Sequence, residues 1–557
     1  MTDGTQAWRE HYAHPGAWNR SFAELTLPAM FDASAARTPD APLTDFLGQR
    51  LSYRHVAAAV DGFAHGLVAS GFAKGDRIGL FLPNVPDYLI AYYGALKAGG
   101  IVVNMSPLYS RAELAHQIAD SGARIVVTVD VPALFETAKA LTDEGVVDRV
   151  IVASLSARLP PVKRVLMRLL KRSDIARIPV DARIVRLADF AAKGSTAALP
   201  PVAAQDVALI QYTGGTTGVP KGAILTHQNL SANARQVHAL DPTPGEDRII
   251  GVLPFFHVFA NTCVLNRTVL AGGMIAMLPR FDAKATLATI NRVKATSLPG
   301  VPTMYQALLD HPAIGTTDFA SLRICISGGA PLAAALKAKF EAATGARVIE
   351  GYGLTESAGV VACNPYVGAA RDGSIGHPIA GTHVRLVDRE NPALAAPPGE
   401  AGELVVTGPQ IMRGYWDRPD ADTDSFIDGA LRTGDVATID ADGYIRIVDR
   451  LKDMIAVGGF KVFPSQIEAV LYRHDAVKEA IVIGVDHDYL GEMPKAFVTL
   501  ADGQAIDGDA LRDWLNPQVG KHERVVAVEV RDTLPKTLVG KLSRKELIAE
   551  ERALTAA

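Results

Sequence analysis

Residues Tyr212 to His227 read YTGGTTGVPKGAILTH. Glycines stand at 214, 215, 218 and 222, threonines at 213, 216 and 217, and Lys221 lies near the end of the run. The apolar stretch DVALIQ, Asp206 to Gln211, leads in, so the segment reads as a strand feeding a tight loop. Glycine tolerates positive φ and lets successive N–H groups converge on an anion. The threonine hydroxyls add neutral donors and Lys221 adds a mobile cation. The implied ligand is a polyphosphate. It is not held in either familiar way. The NTPase loop needs G-x-x-x-x-G-K-[ST], whereas Gly222 follows Lys221 here, and the dinucleotide fingerprint G-x-G-x-x-G is absent from this loop.

A strand feeding such a loop belongs to an α/β chain, and the rest of the sequence keeps that rhythm. Asp76–Phe81 reads as a strand, Pro86–Ala98 as a helix stopped by Gly99 and Gly100, and Ala123–Val129 as another strand. The alternation returns between Leu209 and Val348, where Leu322–Ser327 is a buried strand. This predicts mostly parallel sheets covered on both faces. From about Ser374 to Asp449 the helical periods fade and short alternating strands appear, separated by turns such as the PPG at 397–399. That stretch is expected to be an antiparallel β subdomain. Mixed α+β patterning resumes after Asp453. The expected division is a large domain over 1–450 and a small mobile C-terminal domain over 451–557, hinged near 452.

The chain has 557 residues, 48% hydrophobic and 21% charged, with a net charge of −4. No global basic field points to nucleic acid. Three widely spaced cysteines, Cys263, Cys325 and Cys363, form no C-x-x-C pair, which argues against a zinc site or disulfide frame and for a reducing compartment. The polar N-terminus lacks the plan of a signal peptide, and no apolar run nears the ~20 residues that span a bilayer. A cytoplasmic location is expected. One segment invites a further reading. Arg158–Arg177 holds Lys163, Arg164, Arg168, Lys171 and Arg172, with Asp174 its only acid. In a helix from Pro161, the side chains of Val162, Val165, Leu166, Leu169 and Leu170 share one face, with Arg164, Arg168 and Lys171 opposite. Two readings stay open: a helix lying peripherally on the inner face of the membrane through residues 161–172, or an ordinary surface helix whose apolar face enters the core, the commoner kind.

Four further motifs follow the loop in order. In EGYGLTES, Glu350 to Ser357, Tyr352 stands between Gly351 and Gly353, where its ring can lie flat on a purine. Thr355 can donate to a phosphate, and Glu356 is a hard oxygen ligand suited to magnesium. In RTGD, Asp435 follows a glycine turn and can accept ribose hydroxyls. VDRLKDMIAVGGFKVFP, Val448 to Pro464, sits where the β subdomain meets the C-terminal unit, a place suited to a hinge. In PKTLVGKLSRKEL, Lys541 follows Gly540 on a loop able to close over a site.

The five motifs, collinear from about Leu51 to Leu547, resemble the adenylate-forming superfamily of acyl-CoA synthetases, luciferases and adenylation domains. LPFFHVF at 253–259, CNPY at 363–366 and GSIG at 373–376 make the chain most similar to the bacterial long-chain fatty-acyl-CoA synthetases. The resemblance implies ATP, Mg²⁺ and CoA as cosubstrates and cofactor, with a fatty acid or other small carboxylic acid as substrate. It implies that Thr213, Gly214, Gly215, Thr216, Thr217, Gly218 and Lys221 hold the β- and γ-phosphates. Tyr352 would stack on adenine, with Gly328, Gly329 and Ala330 on its other side. Thr355 would touch the α-phosphate, Glu356 would hold magnesium, and Asp435 and Arg450 would bind ribose. Lys452 would be the pivot, Lys541 would bridge the substrate carboxylate and α-phosphate, and His257 would sit beside the acyl carboxylate. Gly458 and Gly459 would border the pantetheine path. Phe255, Phe256, Phe259, residues 301–305 and Val360 are open between acyl-pocket wall and plain core. An aryl- or dicarboxylate-CoA ligase, an enzyme delivering to a carrier protein, and a non-enzymatic binding protein are the alternatives. A monomer and a dimer both remain open.

Overall fold

The computed structural model describes residues 7–192, 198–213, 220–241, 246–458, 460–537 and 541–555. Two large sheets carry most of the chain. In the first the strand order is Ile184–Arg186, Arg149–Ala153, Ile125–Val129, Arg77–Leu80, Ile101–Asn104, Val207–Tyr212 and Gly222–Thr226. Every neighbouring pair is parallel except the last, an antiparallel hairpin. That hairpin is the strand-and-loop motif of the sequence. Its tip, the 213–221 connection, is closed at the base by the Thr213 N–H donating to Lys221 O at 2.9 Å.

The second sheet runs Ile324–Gly328, Ser297–Gly300, Arg248–Gly251, Met274–Met277 and Pro42–Phe46 in parallel, with Arg347–Tyr352 beside Ile324–Gly328. Short antiparallel pairs finish both ends. The helix Pro86–Lys97 packs into the main core and is buried all round, including Tyr88, Tyr92 and Tyr93. An apolar surface on every side is what a fully interior helix requires. The three phenols remain tolerable there because each finds an acceptor: Asn104 for Tyr88, Asn261 for Tyr92 and Asn266 for Tyr93.

The β subdomain is a five-stranded antiparallel sheet built from His383–Val387, Gly402–Thr407, Ala430–Ile439, Phe426–Ile427 and Ile445–Arg450. A fourth sheet joins Phe460–Val462, Ile455–Val457, Gly491–Leu500 and Val477–His487, with Val528–Val530 parallel to Gly491–Leu500. The fold class read from the sequence, parallel α/β sheets followed by antiparallel β and then α+β, is the fold observed. No helix among the described residues is long and apolar enough to cross a membrane. The helix Pro161–Leu170 forms as expected, but its apolar side chains are exposed instead of entering the core.

Where the second sheet meets the β subdomain, Gly376 has φ +77°, and a Cβ there would stand 2.0 Å from Cys363 O. A backbone oxygen cannot yield that distance without breaking the Ala362–Cys363 to His377–Pro378 pairing. Gly376→Ala is therefore expected to cost roughly 3 kcal/mol or more of stability, read as a fall in the urea midpoint.

Candidate functional site

Three clusters meet where the first two sheets, the β subdomain and the C-terminal segment converge. The first surrounds Asp435. Strands Ala430–Ile439 and Ile445–Arg450 put Asp435 opposite Arg450, whose Nε lies 3.1 Å from its Oδ1. The Tyr352 hydroxyl donates to the other carboxylate oxygen. Burial raises the Asp435 pKa, and Arg450 and the phenol oppose that shift. Burial, then the adjoining carboxylate, raises the Tyr352 phenol. The glycines beside Tyr352 are required by close approach: a Cβ on Gly353 would meet Gly359 O at 1.8 Å. Glu350, on the same strand, accepts from the Leu332 N–H at 3.2 Å and ties the loop after Gly329 to Tyr352's strand. Burial pushes its carboxyl up to about 7.

The second cluster surrounds Lys541. Thr537 brackets this lysine, with its N–H on Lys541 O at 2.6 Å and its hydroxyl accepting from the Lys541 N–H at 3.1 Å. The helix Arg544–Thr555 follows, anchored by Arg544 to Glu468 at 2.6 Å. The lysine reaches across to Gly329, which has φ +82° and where a Cβ would stand 2.5 Å from Lys541 Cε. A small cleft of ≈10 Å³ lies beside it, lined by Leu253, Pro254, His257, Phe259, Ala260, Val301 and Lys541. Burial, helped by the Arg450 cation, lowers the Lys541 pKa to about 8, against the pull of Asp435. His257 is pushed down to about 3 by burial and then by Lys541, so its imidazole is neutral at pH 7. Its Nδ1 accepts from the Phe259 N–H at 3.3 Å, which leaves Nε2 to carry the ring proton.

The third cluster is the mouth of the glycine loop. Lys221 Nζ lies 5.1 Å from the centroid of the Tyr415 ring, and the Tyr415 hydroxyl donates to Glu356 Oε1 at 2.7 Å. Residues 413–416 run beside Gly222–Thr226, with the Trp416 N–H on Gly222 O at 2.8 Å and the Ile224 N–H on Gly414 O at 2.9 Å. The Met412 N–H also donates to Glu356 O at 2.8 Å. Tyr415 thus joins the loop's cation to the expected metal ligand. A cleft of ≈300 Å³ opens here, lined in part by Glu356, Tyr415, Thr433, Gly434 and Leu451.

The expected site residues thus fall into one region with two exceptions. Gly458 is exposed in the hairpin joining Ile455–Val457 to Phe460–Val462, its N–H on Leu490 O at 2.7 Å, apart from the three clusters. Gly214, Gly215, Thr216, Thr217, Gly218 and Gly459 lie outside the described residues. Gly328 is buried against the Phe259 ring, Ala330 and Thr355 are half-buried beside their motifs, and Lys452 is exposed in the turn Leu451–Asp453. The apolar candidates divide. Phe259 and Val301 line the cleft, whereas Phe255 and Tyr305 are core. Tyr415 was not singled out in the sequence; its signal, an aromatic pair after Gly414, has meaning only once the strand pairing with Gly222–Thr226 is known.

Residues 31–416 match the AMP-binding enzyme family and residues 466–541 match the AMP-binding enzyme C-terminal domain. The chain belongs to the AMP-binding enzyme family. Among its curated relatives, this AMP-binding enzyme is 38% identical over 552 residues to the long-chain-fatty-acid–CoA ligase of Bacillus subtilis (strain 168), covering 98% of each chain. It is 37% identical over 517 residues to a feruloyl-CoA synthase of Amycolatopsis sp, covering 92% of this chain and 96% of that one. Among solved structures, ATP-bound MatB from Rhodopseudomonas palustris superposes with a TM-score of 0.83 at 30% identity, over 95% of this chain and 100% of that one.

The contact between Lys541 and Gly329 can be tested without any substrate. In Gly329→Ala the new methyl group displaces the lysine toward water. Its pKa should then climb from about 8 toward the ordinary lysine range. The pH dependence of Lys541 reductive methylation, followed by mass spectrometry, reads that shift; an unchanged midpoint would refute the contact.

Proposed function

We infer that this AMP-binding enzyme is an ATP-dependent acyl-CoA ligase for a fatty acid. It joins a carboxylic acid to AMP with release of pyrophosphate, then passes the acyl group to the CoA thiol with release of AMP. The observation that carries the reading is Lys541 seated against Gly329, beside His257 and within electrostatic reach of Arg450 and Asp435. A carboxylate and a triphosphate repel each other, so attack on the α-phosphorus needs positive charge where negative charge accumulates. Lys541 supplies that charge from the acid's side. His257, neutral and carrying its proton on Nε2, supplies a donor without a competing charge. Lys221 and the 213–218 loop grip the β- and γ-phosphates as the leaving group. Tyr352 offers its ring to adenine while its hydroxyl and Arg450 hold Asp435 for the ribose hydroxyls.

Glu356 is the residue assigned to magnesium. No group of three or more metal-ligating side chains occurs among the described residues. One carboxylate at the mouth of a phosphate loop is nonetheless the pattern Mg²⁺ uses, since it takes the remaining ligands from phosphates and water. When bound, the ion would neutralise phosphate charge at the leaving group. The second step needs no lysine at the reacting centre, because AMP is already a good leaving group. The C-terminal segment is therefore assigned a rotation about Lys452 between the two steps, with Gly458 and Gly459 brought to the CoA path. ATP and CoA as cosubstrates support a cytoplasmic location.

The fatty-acid assignment rests on the 38% identity over nearly the full length of a relative named for long-chain fatty acids. An aryl acid is the second reading, favoured by the feruloyl-CoA synthase relative. Pyrophosphate release with a panel of fatty, aryl and dicarboxylic acids, with and without CoA, decides between them. Sustained turnover without CoA, beyond the single pyrophosphate per enzyme that adenylate formation allows, would overturn the ligase.

Lys541→Ala is expected to slow adenylate formation by ~10²–10³, while supplied acyl-AMP and CoA still give thioester. Equal loss of both half-reactions would contradict the role. Burial lowers the lysine, so it is protonated below about pH 8 and neutral above. kcat/KM for adenylation, which reports free-enzyme groups, should fall about tenfold per pH unit above that value. A profile flat to pH 10 would exclude Lys541 as the required cation.

A further inference from the structure

The helix Pro161–Leu170 is attached to the protein by its polar side. Lys163 Nζ donates to Leu47 O at 2.8 Å. Arg164 Nη2 donates to Ala157 O at 3.0 Å and Leu159 O at 3.3 Å. Met167 packs against the main core. Just upstream, Arg158 forms a two-pronged pair with buried Asp87 at 2.8 and 2.6 Å. These contacts fix the roll of the helix. At 3.6 residues per turn, Val162, Val165, Leu166, Leu169 and Leu170 then point the opposite way. They are 72%, 54%, 48%, 73% and 77% exposed. An ordinary surface helix buries this face; here it is turned outward.

Five contiguous aliphatic side chains in water are costly, at about 25 cal/mol per Å² of apolar surface, unless something covers them. The charges around them indicate what. Lys171, Arg172 and Arg177 are exposed at the C-terminal end, and Asp174 is the only acid from 158 to 177. An apolar face rimmed by cations matches the boundary between acyl chains and anionic headgroups. A second copy of the chain fits poorly. A helix of ten residues is about 15 Å long and 10 Å wide, far short of the ~800 Å² per partner in a stable dimer. A two-fold axis through this short face would also bring the rim cations toward each other.

We propose that the Pro161–Leu170 helix is a docking surface for anionic lipid, lying in the plane of the membrane surface with its aliphatic face among the acyl chains and Lys171, Arg172 and Arg177 at the headgroups. Arg164 is a structural clamp in this arrangement and takes no part in lipid contact.

Flotation of the full chain with phosphatidylglycerol–phosphatidylcholine vesicles, and with phosphatidylcholine alone, tests this. The native chain should float with the anionic vesicles, and less so at high salt. Leu166→Glu/Leu169→Glu/Leu170→Glu should lose flotation while keeping the native urea midpoint, because these side chains join none of the described core clusters. Lys171→Ala/Arg172→Ala should lower partitioning onto anionic vesicles by roughly tenfold or more. A native chain that stays off the anionic vesicles, equal flotation on both vesicle types, or a triple glutamate variant that floats like the native chain would overturn the proposal. So would a native dimer in sedimentation that the triple variant dissociates, which would assign the face to a second copy.

Discussion

A single buried carboxylate ties the parts of this site together. Asp435 belongs to the β subdomain, yet one of its oxygens receives a phenol from the second parallel sheet and the other faces Arg450 at the end of the adjoining strand. Its charge also reaches Lys541, in the C-terminal segment shortly before the helix Arg544–Thr555. Burying a lone carboxylate costs several kcal/mol, so Asp435 is stable only while its neighbours stay in place. The position of Tyr352 follows from this, as does the seating of Arg450 beside the turn Leu451–Asp453. The cleft beside Lys541 and the cluster of Lys221, Tyr415 and Glu356 lie to either side of that fixed point.

Much of the fold was legible in the sequence because its elements are locally consistent. The run Pro86–Lys97 and the strand Val207–Tyr212 each announce themselves by length, apolar content and flanking glycines. The site was legible in its parts, since Tyr352, Glu356, Asp435 and Lys541 stand in short motifs whose residue types have few other uses together. What could not be read was adjacency across the chain. Tyr415 matters because residues 413–416 pair with Gly222–Thr226, nearly two hundred positions away, and no local pattern encodes that pairing. The cleft beside Lys541 was ambiguous for a similar reason: Phe255 and Phe259 look alike in sequence, and only tertiary packing sends one to the core and the other to the cleft.

The helix Pro161–Leu170 shows a different limit. Amphipathic spacing reports that a helix has two faces, but it carries no information on which face is turned outward. The roll here is set by backbone carbonyls at Leu47, Ala157 and Leu159, acceptors that the sequence pattern of the helix itself does not contain. Two cations that look like free surface groups fasten the helix to backbone carbonyls, and aliphatic residues that look like core become surface.

The pocket that holds Lys541 also makes its position a matter of proton balance. Seated beside Gly329, the ammonium is held near pH 8; in water it returns to the ordinary lysine range. Withdrawal of the lysine between those two values must therefore take up a proton, and its return must release one. Alkaline solution favours the seated form, while a polyanion arriving in the pocket restores the proton to the lysine that meets it. Binding of an anion beside Lys541 and the placement of that one side chain are in this way linked through the solvent's hydrogen-ion activity.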